Sequence, residues 1–153
     1  MLYENLQMEA ARLGVEVYEQ PMQPTLKGLY SDDVIWINNL IPTITEKICI
    51  LAEELGHYHT STGHIIDLTD IRNLKQERRA RDWAYQRLVP LSKIVQAHHS
   101  GITSRYELAE FLGVTEEFLQ AAIDRYREKY GTYAMVDKHI VYFDPLAVAE
   151  MFD

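Results

Sequence analysis

Leu51-Ala52-Glu53-Glu54-Leu55-Gly56-His57-Tyr58-His59-Thr60 is the stretch on which the reading of this chain turns. Just upstream, Pro42-Thr43-Ile44-Thr45-Glu46 offers a capping box, in which the Thr43 hydroxyl and the Glu46 carboxylate each satisfy the other's free backbone N–H. A helix should start there and run to about His57 or His59. Ile44, Ile48, Leu51 and Leu55 form one apolar stripe and Ile50 sits on another side, so this helix is expected to be buried over much of its circumference. Residues four apart share a face, so Glu53 and His57 project together, roughly opposite the Ile48/Leu51/Leu55 stripe, with Glu54 one step around.

Working outward, Thr60 to Asp70 is rich in Thr, Ser, Gly and Asp and reads as a loop; a helix follows from about Asn73 to Leu88, ended by Pro90. On the N-terminal side, Leu2, Leu6, Ala10 and Leu13 recur at helical spacing before Gly14, and Val15, Val17 and Tyr18 read as a short strand. Pro21 and Pro24 break the pattern. Leu26 to Tyr30 and Val34 to Asn38 are then two β-rich runs around Ser31-Asp32-Asp33, a hairpin signal that predicts an antiparallel sheet. Beyond Pro90, Ser92 to His98 reads as one short helical segment. Ser104-Arg105-Tyr106-Glu107 is a second capping box, opening a helix-turn-helix pattern with Ala109, Gly113 and Leu119 at the small, turn and core positions. Thr132 to Val136 and His139 to Phe143 flank Asp137-Lys138 as a hairpin, and Asp144-Pro145 is expected to cap a last helix through Phe152.

The placement of Glu53, Glu54 and His57 is that of a zincin helix. In a His-Glu-x-x-His motif, positions one and five ligate a metal and position two is the general base toward the water that the metal activates. Here Glu53 stands at position one in place of histidine. A Glu and a His four residues apart are also a common surface pair, so the spacing needs a second observation. On the next helix Glu77 shares a stripe with Ala80, Ala84 and Leu88, which should face the core. A carboxylate there needs a cation, either a metal or Arg81 one turn on. Glu53, His57 and Glu77 together would give three protein ligands and leave a fourth position for water. His59 points elsewhere on a regular helix, while His64 is either a ligand or donor folding back to the site or an exposed loop histidine. Cys49 reads as a small core residue, and Trp83 and Tyr85 as core packing.

Leu51 to Thr60, together with Gln76-Glu-Arg-Arg-Ala-Arg-Asp-Trp-Ala-Tyr85 and Leu26-Lys-Gly-Leu-Tyr30, resembles the ImmA/IrrE metallopeptidases, in particular the small members carried by phages and integrative elements. The resemblance implies a zinc-dependent endopeptidase that cleaves the helix-turn-helix repressor of its own mobile element and so derepresses it. It implies His57 as the second histidine ligand, Glu54 as the catalytic base and Glu77 as the downstream acidic ligand. Glu53 occupies the position where most of the wider family has histidine. Two carboxylates and one imidazole donate more negative charge than the usual set, which should acidify the bound water less and admit Mn²⁺ or Fe²⁺ more readily than a two-histidine site. The expected class is α+β: a zincin-like helical core with a small antiparallel sheet over residues 1–91, then a mainly helical tail over 92–153 with a helix-turn-helix-like element and a C-terminal hairpin.

Composition narrows the alternatives. The 153 residues carry 15 Lys and Arg against 23 Asp and Glu, a net charge of −8, which repels phosphate backbones. From Arg105 to Lys129 four cationic residues face six acidic ones, and the second helix of the pattern opens with Glu116 and Glu117, so direct nucleic-acid contact is not expected. The helix-turn-helix pattern still keeps a DNA-binding regulator as a rival class, and the Glu53 departure keeps a catalytically weak or metal-free protein that binds a repressor without cutting it. One cysteine excludes a disulfide framework and suits a reducing compartment. No apolar run approaches the ~20 residues needed to span a bilayer, and the acidic N-terminus does not read as a signal peptide, so a cytoplasmic protein without membrane contact is expected.

Overall fold

In the computed structural model, residues 1–61 and 71–151 are described. The expected loop beyond Ser61, and His64 with it, lies outside them. The chain divides into two compact units, Met1–Ala84 and Tyr85–Asp153.

The first unit opens with α1 (Leu2–Arg12), which buries Tyr3, Leu6 and Ala10 and gives way at Gly14, whose φ of +79° suits a residue without Cβ. Three strands follow, β1 (Glu16–Gln20), β2 (Gly28–Ser31) and β3 (Val34–Asn38). β2 and β3 form the expected hairpin, with Asp32 and Asp33 both at positive φ, as a tight two-residue β-turn of primed type requires. The sheet as a whole is not antiparallel: β3 is central and β1 runs parallel to it. The connection between β1 and β2 is braced by Asn38, which is 2% exposed. Its amide nitrogen donates to the carbonyls of Leu26 (2.8 Å) and Gln23 (3.2 Å), and its Oδ1 accepts from the Leu40 N–H (3.0 Å). One buried amide thereby pins the connection around Pro24, which carries the chain past β3 and lets β2 return on its far side.

α2 (Ile44–Thr60) starts where its cap predicts: Thr43 Oγ1 accepts from the Glu46 N–H at 3.1 Å. Ile48, Cys49, Leu51, Ala52, Leu55 and Gly56 are buried, whereas Ile44, in the first turn, lies outside the core. The helix packs on α1, β2 and β3, where Ile35 and Ile37 are fully buried. α3 (Ile71–Leu88) then carries the chain from the first unit into the second. Among the described residues, no helix is long and apolar enough to cross a membrane.

The second unit contains α4 (Leu91–His99), α5 (Arg105–Leu112) and α6 (Glu116–Tyr130), then β4 (Tyr133–Val136), β5 (His139–Phe143) and β6 (Leu146–Glu150). Gly113 closes α5 in the left-handed region, and Thr115 caps α6 by accepting from the Phe118 N–H. Leu108, Leu112, Leu119, Ile123, Tyr126, Val141 and Phe143 are buried here. The last helix expected after Pro145 is instead the strand β6, paired antiparallel with β5 from His139↔Glu150 to Phe143↔Leu146. A five-residue segment is too short to hold as a helix, while as a strand it covers an edge that β5 would otherwise leave open. The tail keeps helix as its larger part, three helices joined to a three-stranded antiparallel sheet where a hairpin and a fourth helix were expected.

Candidate active site

Two glycine positions bring the chemistry together. At Gly56 a Cβ would lie 2.1 Å from the Ala80 carbonyl oxygen, so α2 and α3 cross with backbone nearly touching backbone. The residues beside that crossing, His57 on α2 and Glu77 on α3, consequently meet: His57 Nε2 is 2.9 Å from Glu77 Oε2. At Gly28 a Cβ would stand 2.7 Å from Ile50 Cγ2 and 3.3 Å from Glu54 Cγ, so β2 presses directly on the α2 face that carries Glu54.

Of the two cations expected for Glu77, a metal or Arg81, Arg81 is at hand, its Nε 3.5 Å from the oxygen that His57 does not hold. The His57 hydrogen bond holds the Glu77 carboxyl below its ordinary range against the effect of burial. Burial works against the His57 imidazolium, yet the Glu77 hydrogen bond and the charges of Glu54, Glu77 and Glu53 outweigh it and raise the pKa. Burial raises Glu53, with Arg81 opposing and Glu77 adding. Burial pushes Glu54 up to about 7; His57 opposes the shift, and Glu53 and Glu77 reinforce it.

Three carboxylates thus gather about one imidazole and one guanidinium, a surplus of negative charge in a poorly solvated place. Among the described residues, Glu54 Oε2 is buried with no hydrogen-bond partner. A cation answers both features, and the donors suit it: imidazole nitrogen and carboxylate oxygen are zinc ligands. The 2.9 Å between His57 Nε2 and Glu77 Oε2 is close to the ~3.3 Å that separates two ligand atoms on a tetrahedral ion with bonds of about 2.0–2.1 Å, so an ion can replace the shared proton with little movement. The His57–Glu77 pair has the donors for the metal that the resemblance implies, but among the described residues no third His, Cys, Asp or Glu, Glu53 included, joins it within the 4.8 Å that separates ligand atoms of one site.

The other sequence candidates fall away from the site. His59 stacks on Trp83 with ring centroids 4.5 Å apart, Tyr85 packs edge-on against Phe118 at 5.2 Å, and Cys49 is buried. Gln76, which the sequence did not single out, also buries a side-chain oxygen without a partner. Nor did it single out the group His99, His139 and Glu150 in the second unit, whose ligand atoms all lie within 4.8 Å of one another. No spacing motif announces that group, because its members come from three elements and Glu150 was assigned to a helix.

Comparison with known proteins gives one match: a peptidase family model, the IrrE N-terminal-like domain, aligns with residues 10–124. That span takes in all of β1 to β3, α2 and α3, and ends within α6. No curated protein and no solved structure matches the chain.

Proposed function

The chain belongs to the IrrE N-terminal-like domain family, a metallopeptidase-type family, and from that premise we propose that it is a metal-dependent endopeptidase. Its substrate in this proposal is the helix-turn-helix repressor of a phage or other mobile element, cleaved in the cytoplasm so that the element is derepressed. The observation that carries the proposal is Glu54: a buried carboxylate with an unpartnered oxygen, raised to about 7, beside the His57–Glu77 pair.

Glu53, His57 and Glu77 would hold a divalent ion, Zn²⁺ first and Mn²⁺ or Fe²⁺ as alternatives, which when bound supplies Lewis acidity toward a peptide carbonyl and toward water. Glu54 does the proton work. It accepts a proton from the attacking water on the oxygen left free, and passes it to the amine nitrogen as the C–N bond breaks. Arg81, 3.5 Å from the other Glu77 oxygen, would orient that carboxylate toward the ion. In the tail, α5 and α6 make a helix-turn-helix-like element that contacts protein rather than DNA. Glu116 and Glu117 are exposed at the start of α6, and Arg105 and Arg127 are engaged by Glu116 (3.8 Å) and Asp144 (3.0 Å).

A second reading has one observation of its own: His57 and Arg81 already satisfy Glu77 without an ion. In that case the chain binds a repressor and does not cut it. Cleavage of the repressor by the wild-type chain separates the two, and the Glu54→Gln variant then tests the base. It should keep the metal and lose cleavage of the repressor by at least about a hundredfold, because the amide is nearly isosteric and cannot take up the proton. Electrophoresis of repressor incubated with each protein checks this, and cleavage at an unchanged rate removes Glu54 from the mechanism.

A further inference from the structure

We propose that the second unit carries a transition-metal site of its own, in which His99, His139 and Glu150 bind a zinc-class divalent ion. His139 Nε2 lies 2.9 Å from His99 Nε2 and 3.8 Å from Glu150 Oε1. These distances bracket the ~3.3 Å between ligand atoms on a tetrahedral ion with bonds of about 2.0–2.1 Å. Two imidazole nitrogens facing each other need something between them, either a single proton or a cation. The carboxylate beside them selects the cation by charge, and two imidazoles with one carboxylate is a donor set that holds zinc with a fourth position open.

The backbone positions these side chains before any ion arrives. His139 and Glu150 are direct cross-strand partners at the open end of β5 and β6. The Met151 N–H donates to the Lys138 carbonyl at 2.7 Å, which marks His139↔Glu150 as a narrow pair whose side chains stand close. His99 is the last residue of α4 and approaches from the helix end where the dipole favours positive charge; its Nδ1 is 3.6 Å from Glu150. An ion held there fastens the last turn of α4 to the final strand of the sheet. His139 and Glu150 lie beyond the residues that the family model matches, so the site is separate from the one that family membership supports.

The test is zinc titration of the untagged, chelator-stripped full chain, in competition with a chromophoric chelator. Wild type should bind two equivalents. His99→Gln and Glu150→Gln alter side chains that are 50% and 45% exposed, so both variants should fold, which circular dichroism checks. Each should weaken one equivalent by at least about tenfold, since losing a ligand costs no less than losing its supporting shell. His57→Ala should leave that equivalent in place. The proposal is overturned if neither His99→Gln nor Glu150→Gln changes zinc binding, or if His57→Ala protein binds none. A single equivalent lost with His99→Gln and indifferent to His57→Ala would uphold this site and count against the one in the first unit.

Discussion

Glu54 and Glu53 are sequence neighbours of one type, and burial raises both, against the Arg81 charge at Glu53 and the His57 charge at Glu54. A carboxyl raised from 4.5 to about 7 keeps its proton in the folded chain over a range where the unfolded chain has lost it. Folding stability therefore falls as pH rises through that window, by up to about 3 kcal/mol from this group. His57, also raised, acts in the same direction: its stabilisation is present below its ordinary value and is lost as pH rises through the folded value. Glu77 acts oppositely, contributing above its ordinary value and losing that contribution as pH falls through the folded one. In metal-free protein, Glu54→Gln should remove the Glu54 share, so that the variant gains on wild type steadily from pH 4.5 to 7.5. Urea unfolding across that range measures the difference, and parallel curves would show that the carboxyl is not held protonated. Glu53 is tested by its departure from histidine. Glu53→Ala should weaken zinc binding in the first unit ten- to a hundredfold, whereas Glu53→His should retain it, because imidazole is an equally good donor. Indifference to the alanine change would remove Glu53 from the ligand set.

Among the elements, the crossing of α2 and α3 decides whether these side chains meet. Gly56→Ala adds a methyl where the Ala80 carbonyl already stands at 2.1 Å, and both groups are fixed by helices. The change gains about 1 kcal/mol of helix propensity and loses more to overpacking. A net destabilisation of about 2 kcal/mol or more is expected in chemical denaturation, together with loss of the His57–Glu77 contact, seen as a His57 pKa that falls in NMR titration. Gly28→Ala meets the branched Ile50 Cγ2 at 2.7 Å, stiff within α2, and the Trp36 carbonyl oxygen at 3.2 Å, so it too should destabilise, though by less than the 2.1 Å backbone clash at Gly56. The sequence made α2 legible because a cap and a 3.6-residue stripe are local signals, and β2–β3 legible because their turn is local too. It hid β6, whose strand form depends on pairing with His139 to Phe143, and it hid the parallel β1, whose placement depends on pairing with Val34 to Asn38. Both are consequences of partners distant in sequence.

For the whole molecule, the same distinction separates what the sequence disclosed of the two histidine–carboxylate clusters. Glu53, Glu54 and His57 share one helix turn, and Glu77 stood out as a carboxylate on an apolar stripe, so the members of the first cluster could be named from the sequence once spacing, stripe and family resemblance were taken together. What spacing could not give was the 2.9 Å approach of His57 to Glu77, because that distance is set by two helices meeting at Gly56 and Ala80. The second cluster needed the β5–β6 register before its members could be seen as neighbours. A chain with net charge −8 that concentrates carboxylates around imidazoles in two places is arranged to attract cations rather than phosphates. The central claim is that the first of these places is a metal centre. The direct measurement is the zinc content of untagged protein purified without chelator, compared between the His99→Gln variant and the His99→Gln/His57→Ala double variant. About one zinc per chain in the first and none in the second is the expected result; a His99→Gln protein that stays empty after zinc dialysis, or a zinc content indifferent to His57, would contradict it.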